Sequence, residues 1–390
     1  MSSLTTRVIS NAMIQSYRDP IVAPPPRGFH GGLVLSDNYE DRLLRHNRYR
    51  IAVDEFDGDS GFSNRLKGEA VYGGPIWDHF GHFMSEMIHR IIPSRKEFGN
   101  HNFVFVTTTN DRRLDEFHKF PRFIKDILKF LKVDGENVNV INQNCYVDTL
   151  YVAEQGSDLG GGPKDCYLDI LQDFSERRLR EVITEPSTYS KVYVSRTGNR
   201  PGGHFLGEMY FESLLSRAGY LIFKPEEFEF SRQIDIYRQS DVLIFPEGSA
   251  CHGTELLGRN MIGRCLLLDR HSNPGPVFSN ILECRSEQFK RFNCGLQLGT
   301  AVREQATGNP AAHVGVSLFD LVALNTFLQS HNFGDLAPFS VEQYLEIAEL
   351  DLLNYIRYHI QAGNRMCEPT DIAALFLAFA EAKKTLLNSR

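Results

Sequence analysis

Strand-like and helix-like patterns alternate through the middle of this chain, and no other feature of the sequence limits its fold as strongly. Short apolar runs at 103–108, 138–141 and 149–152 predict strands, while longer periodic stretches at 121–132 and 167–182 predict helices. Such alternation is typical of an α/β fold built on a mostly parallel sheet.

A second alternation follows the break at Pro186 and Ser187, with predicted strands at 191–194, 220–223, 241–245 and 265–268 and predicted helices at 208–218, 232–239 and from Ser249. A chain of 390 residues is long enough for two such units and an appendage. We therefore predict two Rossmann-like lobes, residues 1–186 and 187–300, and a helical C-terminal extension, residues 301–390. The Gly- and Ala-bearing stretch 298–312 is the predicted linker.

The composition excludes several classes of protein. With 42% hydrophobic and 23% charged residues the chain is an ordinary globular protein, and its formal net charge of -7 gives no general attraction to nucleic acid. The N-terminus has no apolar core of the signal-peptide kind, and no run of about 18 apolar residues occurs. The seven cysteines are scattered and predict reduced thiols. We expect a cytoplasmic protein.

The stretch 76–92 predicts one amphipathic helix that Pro93 ends, since its apolar residues recur at spacings of three and four. Polar residues fall four apart on the opposite stripe: Asp78, His82, Glu86 and Arg90. Such a stripe can hold a general base and the group that orients it. His82 is the preferred catalytic base because its ordinary pKa of about 6.5 lies near working pH. Glu86 would orient His82 or replace it, and Asp78 is the third candidate.

An alternative interpretation makes this stripe a solvated face on which Glu86 and Arg90 form an ordinary ion pair, worth about 0.3–0.5 kcal/mol. A Gly-Gly-Pro turn before the stretch and Gly81 within it favour a ligand instead, since glycine lets a ligand approach the backbone. Trp77, the only tryptophan, fits either a platform for a sugar ring or a core anchor. Trp77 and Arg90 are the candidate acceptor-binding residues.

The second unit holds the candidate phosphate-binding residues. Arg196 follows the predicted strand 191–194 at its carboxyl end, where ligands bind in open α/β sheets. Arg200 lies in the glycine-bearing loop that follows, and two arginines there suit a phosphate clamp. The alternative is a surface loop with solvated arginines.

Residues 241–252 predict a strand, a tight glycine turn and the start of a helix. Free backbone N–H groups and the helix dipole at such a turn form an anion site for a diphosphate. The candidate donor-binding residues of this segment are Glu247, Gly248, Ser249, Ala250 and His252. For His252, a phosphate contact and simple packing are equally good interpretations.

No metal ion or cofactor is expected. Asp57 and Asp59 have the spacing of a D-x-D metal motif, but they lie in a polar loop and such triplets are common by chance. No P-loop and no G-x-G-x-x-G motif is present.

The two motif regions together resemble glycosyltransferase family 61. Its members share an H-[FW]-x-x-E-x-x-x-R helix, which appears here as residues 82–90, and an S-R strand end, here Ser195-Arg196. Further matches follow in family order: Arg200, Glu208, Gln233 and Pro246-Glu247-Gly248-Ser249. The agreement extends over about residues 72–268. Glu247 replaces the family's histidine, so we expect it to hold a ribose or sugar hydroxyl rather than a phosphate.

The resemblance implies an inverting transferase of GT-B architecture, with the acceptor in the N-terminal lobe and a nucleotide sugar against the C-terminal lobe. A base removes the acceptor proton in one in-line displacement, while Arg196, Arg200 and the Gly248 turn stabilise the leaving diphosphate. Without a signal anchor, the expected role is cytoplasmic surface-polysaccharide synthesis on a glycan or glycolipid acceptor. Peripheral association with an assembly complex at the inner membrane is left open.

Two other functions fit the same residues. One is transfer of another activated anionic donor, since a fold does not determine its chemistry. The other is a catalytically silent nucleotide-sugar-binding scaffold. The His82 and Glu86 pair argues against the scaffold, because a silent binder does not need it.

Overall fold

The computed structural model of the protein describes residues 3–18, 29–35, 38–56, 61–198, 202–293, 296–305, 307–362 and 366–388. Within these residues, two large β-sheets and the helices packed on them form the fold. The α/β class predicted from the alternating patterns is confirmed.

The first sheet has six strands among the described residues: β1 (Thr6–Gln15), β2 (Gly32–Leu33), β3 (Asn64–Pro75), β4 (Asn102–Val106), β5 (Val138–Ile141) and β6 (Cys145–Ala153). Their spatial order is β2-β1-β6-β3-β4-β5. Strand β1 is antiparallel to both its neighbours, whereas β6, β3, β4 and β5 are mutually parallel. The sheet is therefore mixed.

The second sheet has five strands in the described part of the chain: β7 (Lys191–Val194), β8 (Leu221–Phe223), β9 (Val242–Pro246), β10 (Ile262–Asp269) and β11 (Ser286–Asn293). Their order is β8-β7-β9-β10-β11, and every neighbouring pair is parallel. Parallel sheets normally have both faces covered by other elements.

The α-helices of the described residues are α1 (Tyr39–Leu44), α2 (Phe80–His82), α3 (Ile91–Phe98), α4 (Arg122–Phe130), α5 (Asp165–Val182), α6 (Glu208–Arg217), α7 (Phe230–Gln239), α8 (Val277–Leu282), α9 (Leu321–Ser330), α10 (Val341–Ala362) and α11 (Pro369–Asn388). No helix in these ranges is both long enough and apolar enough to cross a membrane.

Alternate residues of the second sheet enter two different hydrophobic cores, because successive side chains of a strand point to opposite faces. Val192 and Val194 join a core that also contains the apolar residues of the first sheet. Tyr193 and Ile244 join a second core with α6 and the C-terminal helices α9, α10 and α11. One face of the second sheet therefore packs towards the first sheet, and the C-terminal helices cover the other.

The prediction of one straight helix over 76–92 is wrong. Strand β3 continues to Pro75, and helix α2 begins only at Phe80. A π-helical turn, Phe83–Met87, follows at once, and α3 begins at Ile91. Pro93 does not end a helix but lies in the first turn of α3, where a missing backbone N–H costs nothing.

The predicted Gly-Gly-Pro turn is the end of strand β3. Gly74 has a φ of 98°, which favours glycine, and the pairing of β3 with β4 shifts register between Tyr72 and Gly74. A Cβ at Gly73 would lie 2.5 Å from the ring of Phe105 on β4. The glycines therefore serve the sheet at the point where the chain leaves it for α2.

The stretch that was predicted to be a linker, 298–312, is partly structured. Leu296–Gly299 pairs antiparallel with Val316–Leu318, and both strands contribute to the second core, the one that contains the C-terminal helices. The helical extension predicted after residue 300 corresponds to α9, α10 and α11, but it begins only at Leu321.

Candidate active site

His82 forms a hydrogen-bonded pair with Glu86 at the junction of α2 and the π-helical turn. His82 Nδ1 donates to Glu86 Oε1 over 2.7 Å, and the imidazole is partly exposed. With Nδ1 donating, Nε2 is the ring nitrogen that can accept a proton. A histidine oriented by a carboxylate in this way is suited to general-base chemistry.

Glu86 is buried beneath His82 and receives further hydrogen bonds from the segment before strand β3. Arg48 donates to both oxygens, from Nε at 2.6 Å and from NH2 at 2.7 Å, and His46 Nε2 donates to Oε2 at 2.9 Å. Burial alone would raise the pKa of this carboxyl, but the bonds from His46 and His82 and the charge of Arg48 hold it well below its usual range. Glu86 is therefore an ionised group that orients its neighbours.

The predicted polar stripe does not exist as one exposed face. Asp78 is exposed and His82 partly so, but Glu86 and Arg90 are each 1% exposed. Arg90 donates from NH1 to Ala153 O and from NH2 to Arg45 O, both at 2.5 Å. Its guanidinium is occupied by the protein itself, so the assignment of Arg90 as an acceptor-binding residue is wrong. The Glu86–Arg90 ion pair of the alternative interpretation is absent from the described contacts as well.

Trp77 lies next to this pair at the surface of the core. It is half-buried, and its ring centroid is 6.3 Å from that of His82 with an interplanar angle of 31°. The position combines both interpretations of the tryptophan, since one side packs on the core and the ring borders the candidate base.

Gly81 is the residue of α2 that lies against Ser249–Thr254, the segment that follows strand β9 of the second sheet. A Cβ added at Gly81 would lie 3.4 Å from Ser249 Cβ and 3.5 Å from His252 Cδ2. His79 lies beside them, and burial together with the neighbouring His82 and His252 lowers its pKa. The two motif regions, about 170 positions apart in the sequence, are thus in contact.

His252 has a carboxylate partner of its own. Its Nδ1 donates to Glu255 Oε1 over 3.2 Å, and Arg285 NH2 lies 3.3 Å from Glu255 Oε2. His89, from the first sheet's side, approaches the same oxygen at 3.8 Å, and burial lowers the pKa of this imidazole to about 4. His252 is 5% exposed, so it is a buried and oriented histidine rather than a mobile one.

Arg196 follows strand β7, as predicted, and lies against Gly248. A Cβ at Gly248 would come within 1.5 Å of Arg196 NH1, so only glycine leaves room for this guanidinium. Arg196 NH2 donates to Gly203 O at 3.1 Å, while Nε is buried with no hydrogen-bond partner in the described ranges. A buried guanidinium with unused donors is suited to an anionic ligand.

The segment after β9 differs from the prediction. Ser249–Thr254 is a short 3-10 helix of six residues, so the expected α-helix with its dipole is absent there. Glu247 accepts hydrogen bonds from the backbone of Arg270 and His271 and from His271 Nδ1, at 2.8, 3.1 and 2.8 Å. Its carboxylate thus holds the chain just after β10, and its contact with a donor hydroxyl stays a prediction.

A cavity of about 500 Å³ opens between the two sheets, next to these residues. We name it the intersheet cavity, and its walls are Phe80, Arg122, Phe123, Asp126 and Ile127 on one side and Ser195, Arg196, Gly198, Pro225, Glu226, Phe228, Phe230, Gln233, Ser249 and Ala250 on the other. Gln233 Nε2 donates to Pro225 O and Phe228 O, and its Oε1 is buried with no partner in the described part of the chain.

The sequence did not predict the residues that bond Glu86 or those of α4 that line the cavity. Arg48 and His46 lie about 40 positions before Glu86, and Arg122, Phe123 and Asp126 line the cavity from helix α4. The only local signal was the density of basic residues between positions 45 and 50. Nothing in that run indicates which carboxylate it meets.

Some predicted residues cannot be located. Arg200, Asp57 and Asp59 lie outside the described residues. Within the described ranges, no group of three His, Cys, Asp or Glu side chains could hold a metal ion.

Comparison with protein families shows which class of enzyme this part of the chain is similar to. A family model for glycosyltransferases matches residues 80–259, a stretch that begins at α2 and ends beyond Glu255. The model is that of Glycosyltransferase 61, the family that the sequence resembles. The match supports glycosyltransferase activity. No curated protein matches the chain.

Proposed function

We propose that the protein is an inverting glycosyltransferase that moves a sugar from a nucleotide-sugar donor to a glycan or glycolipid acceptor in surface-polysaccharide synthesis. The observation that carries the proposal is the intersheet cavity, which Arg196 and Ser249 line together with Phe80, the first residue of the helix that ends at His82. A guanidinium for a leaving group and an oriented base are the two parts that such a reaction requires.

The donor would lie against the second sheet. Arg196 and the backbone at Ser249 and Ala250 would hold its diphosphate, with Arg200 from the loop that follows. The aromatic wall formed by Phe228 and Phe230 suits a nucleobase, because aromatic side chains stack on the faces of bases. The unpartnered Oε1 of Gln233 would accept a hydrogen bond from it.

The acceptor would approach from the first sheet's side, past Trp77. His82 Nε2 would remove the proton of the acceptor hydroxyl while Glu86 stabilises the imidazolium that forms. The acceptor oxygen then attacks the anomeric carbon in line with the departing diphosphate, which inverts that carbon. Arg196 supplies the charge that a metal ion provides in other transferases, so we propose that the reaction is independent of metal.

The two sheets on either side of a cavity support a GT-B arrangement with lobes 1–186 and 187–300 and the extension 301–390. Work on a polysaccharide precursor would take place in the cytoplasm, with peripheral association at an assembly complex on the inner membrane.

The test is a two-step screen of the purified chain. Nucleoside diphosphates and nucleotide sugars are first ranked by thermal shift, and the best donors are then assayed for transfer to glycan and glycolipid acceptors. Transfer with inversion supports the proposal. Binding with no transfer to any acceptor would leave a silent scaffold, and stabilisation only by another activated anionic donor would replace the sugar as the group transferred.

A further inference from the structure

A second cavity, of about 240 Å³, shares Arg196 with the intersheet cavity. It is formed where the segment 204–209, at the beginning of α6, faces helix α10. We name it the C-terminal groove. It is smaller than the roughly 300–1,000 Å³ of pockets for drug-sized ligands, so it suits one small ring.

Helix α10 presents a polar stripe to this groove. Asp351, Asn354, Tyr358 and Gln361 follow one another at spacings of three and four, which keeps them on one side of the helix. The side chains of Asn354 and Gln361, and of neighbouring Arg357, have no hydrogen bond or ion pair with any residue in the described ranges. They are free to meet a ligand.

The opposite wall contributes a buried carboxyl, Glu208, which is 2% exposed. Its Oε1 accepts from Tyr193 OH at 2.8 Å and from the backbone N–H of Arg196 at 2.9 Å. Its Oε2 has no partner in the described part of the chain, although the residue lines the groove. A carboxyl oxygen that lines the groove can accept a hydrogen bond from a hydroxyl group of a ligand.

The chemistry of the lining favours a sugar over an ion. The lining carries both signs of charge, Arg196 and Arg357 against Asp351 and Glu208, although burial raises the pKa of Glu208 to about 7 and leaves its carboxyl only partly ionised at neutral pH. The groove therefore has no strong charge of one sign. Amide side chains and carboxyl oxygens hydrogen-bond hydroxyl groups, and the ring of Tyr358 offers an apolar platform with a polar tip. We propose that the C-terminal groove is a second carbohydrate-binding site, which holds one neutral sugar residue of a glycan.

This site lies beyond the proposed transfer reaction, and binding can be measured without any turnover. The probes are the methyl glycosides of glucose, galactose and N-acetylglucosamine, titrated by saturation-transfer NMR with and without the nucleoside diphosphate that stabilises the protein most. We expect at least one glycoside to bind whether or not the nucleotide is present. Loss of transfer activity would count against the proposed function, not against this site.

Tyr358→Ala should weaken that binding about tenfold, because it removes the ring surface on which a sugar packs. The matched control is Tyr189→Ala, since Tyr189 is 44% exposed and Tyr358 43%, and Tyr189 lies outside the groove. Asn354→Ala provides a second variant on the exposed side of α10. The proposal is overturned if no glycoside binds, if both groove variants bind as the control does, or if inorganic phosphate binds there in place of the glycosides.

Discussion

Glu86 controls the chemistry of the residues around it more than any other side chain of the candidate site. It accepts hydrogen bonds from His82, His46 and Arg48 while being almost completely buried. A charge in such a position is stable only while its partners are in place. The same carboxylate therefore determines both the tautomer of His82 and part of the stability of the fold.

We predict that His82→Ala lowers kcat about 10²–10⁴-fold, the usual effect of removing a general base. The affinity for nucleoside diphosphate should change little, because Arg196 and the Ser249 segment bind the donor. Steady-state kinetics and calorimetric titration measure the two effects separately. His118→Ala is the control, since the side chain of His118 is 70% exposed and does not line the cavity. Normal turnover by a folded His82→Ala variant would contradict the assignment.

Glu86→Gln should destabilise the protein in a pH-dependent way. Removing one partner of a buried ion pair costs about 3–5 kcal/mol. Because the pKa of Glu86 in the folded state lies well below its ordinary value of 4.5, this stabilisation is complete above that value and is lost as the pH falls through the folded pKa. Urea denaturation of both proteins over a pH series measures the difference. A difference that stayed constant from pH 7 down to about pH 3 would show that the fold does not lower the pKa of Glu86.

At the scale of single elements, the turn after β9 depends on the contact between Gly248 and Arg196. Gly248 has a φ of 162°, which is extended backbone that any residue adopts, so its conformation does not require glycine. What requires glycine is space, because a Cβ would collide with Arg196 NH1. The turn and the arginine therefore form one unit.

Gly248→Ala should weaken nucleoside diphosphate binding about as much as Arg196→Ala does, at least about tenfold, since a hydrogen bond to a charged group is worth about 1.5–3 kcal/mol. Gly275→Ala is the matched control, because a Cβ there meets no atom within 4 Å and the backbone is unstrained. Calorimetric titration of the three variants decides the matter. Wild-type affinity in Gly248→Ala would separate the turn from the donor site.

The sequence predicted the regular elements well where one pattern continued without interruption. The strand Val138–Ile141 was predicted with its observed bounds, and α5 and α6 within two residues, because apolar periodicity reports a packed face directly. The prediction of one helix over the stretch 76–92 failed because the apolar periodicity there crosses the end of β3, a short helix and a π-helical turn. A local pattern cannot show where the backbone changes its hydrogen bonding.

The candidate site was predictable only in part, for a related reason. Arg196 follows a buried strand, and its position could be derived from the strand alone. Glu86 and Arg90 were assigned to one polar stripe of a helix because their spacing is helical. Their burial depends on His46, Arg48 and the carbonyls of Arg45 and Ala153, and no local pattern links those positions.

At the scale of the whole molecule, a donor analogue should stabilise the chain by joining both sides of the intersheet cavity. We predict that nucleoside diphosphates raise the melting temperature in the presence of a chelator, because Arg196 replaces a divalent cation. At about 100 times the Kd, the free energy of unfolding should rise by about 2.7 kcal/mol. Differential scanning calorimetry with and without chelator and Mg²⁺ measures it. Stabilisation that required Mg²⁺ or Mn²⁺ would make the metal-free mechanism wrong and direct attention to Asp57 and Asp59.

Arg196 lines both the intersheet cavity and the C-terminal groove, and Glu208 binds its backbone from the groove side. Two compartments that share one wall cannot be energetically independent if that wall shifts. By thermodynamic reciprocity, any factor by which a sugar in the groove changes the affinity for nucleotide must equal the factor by which nucleotide changes the affinity for sugar. One coupling constant, measured for each bound glycan, would therefore state how that glycan changes the affinity of the protein for its donor.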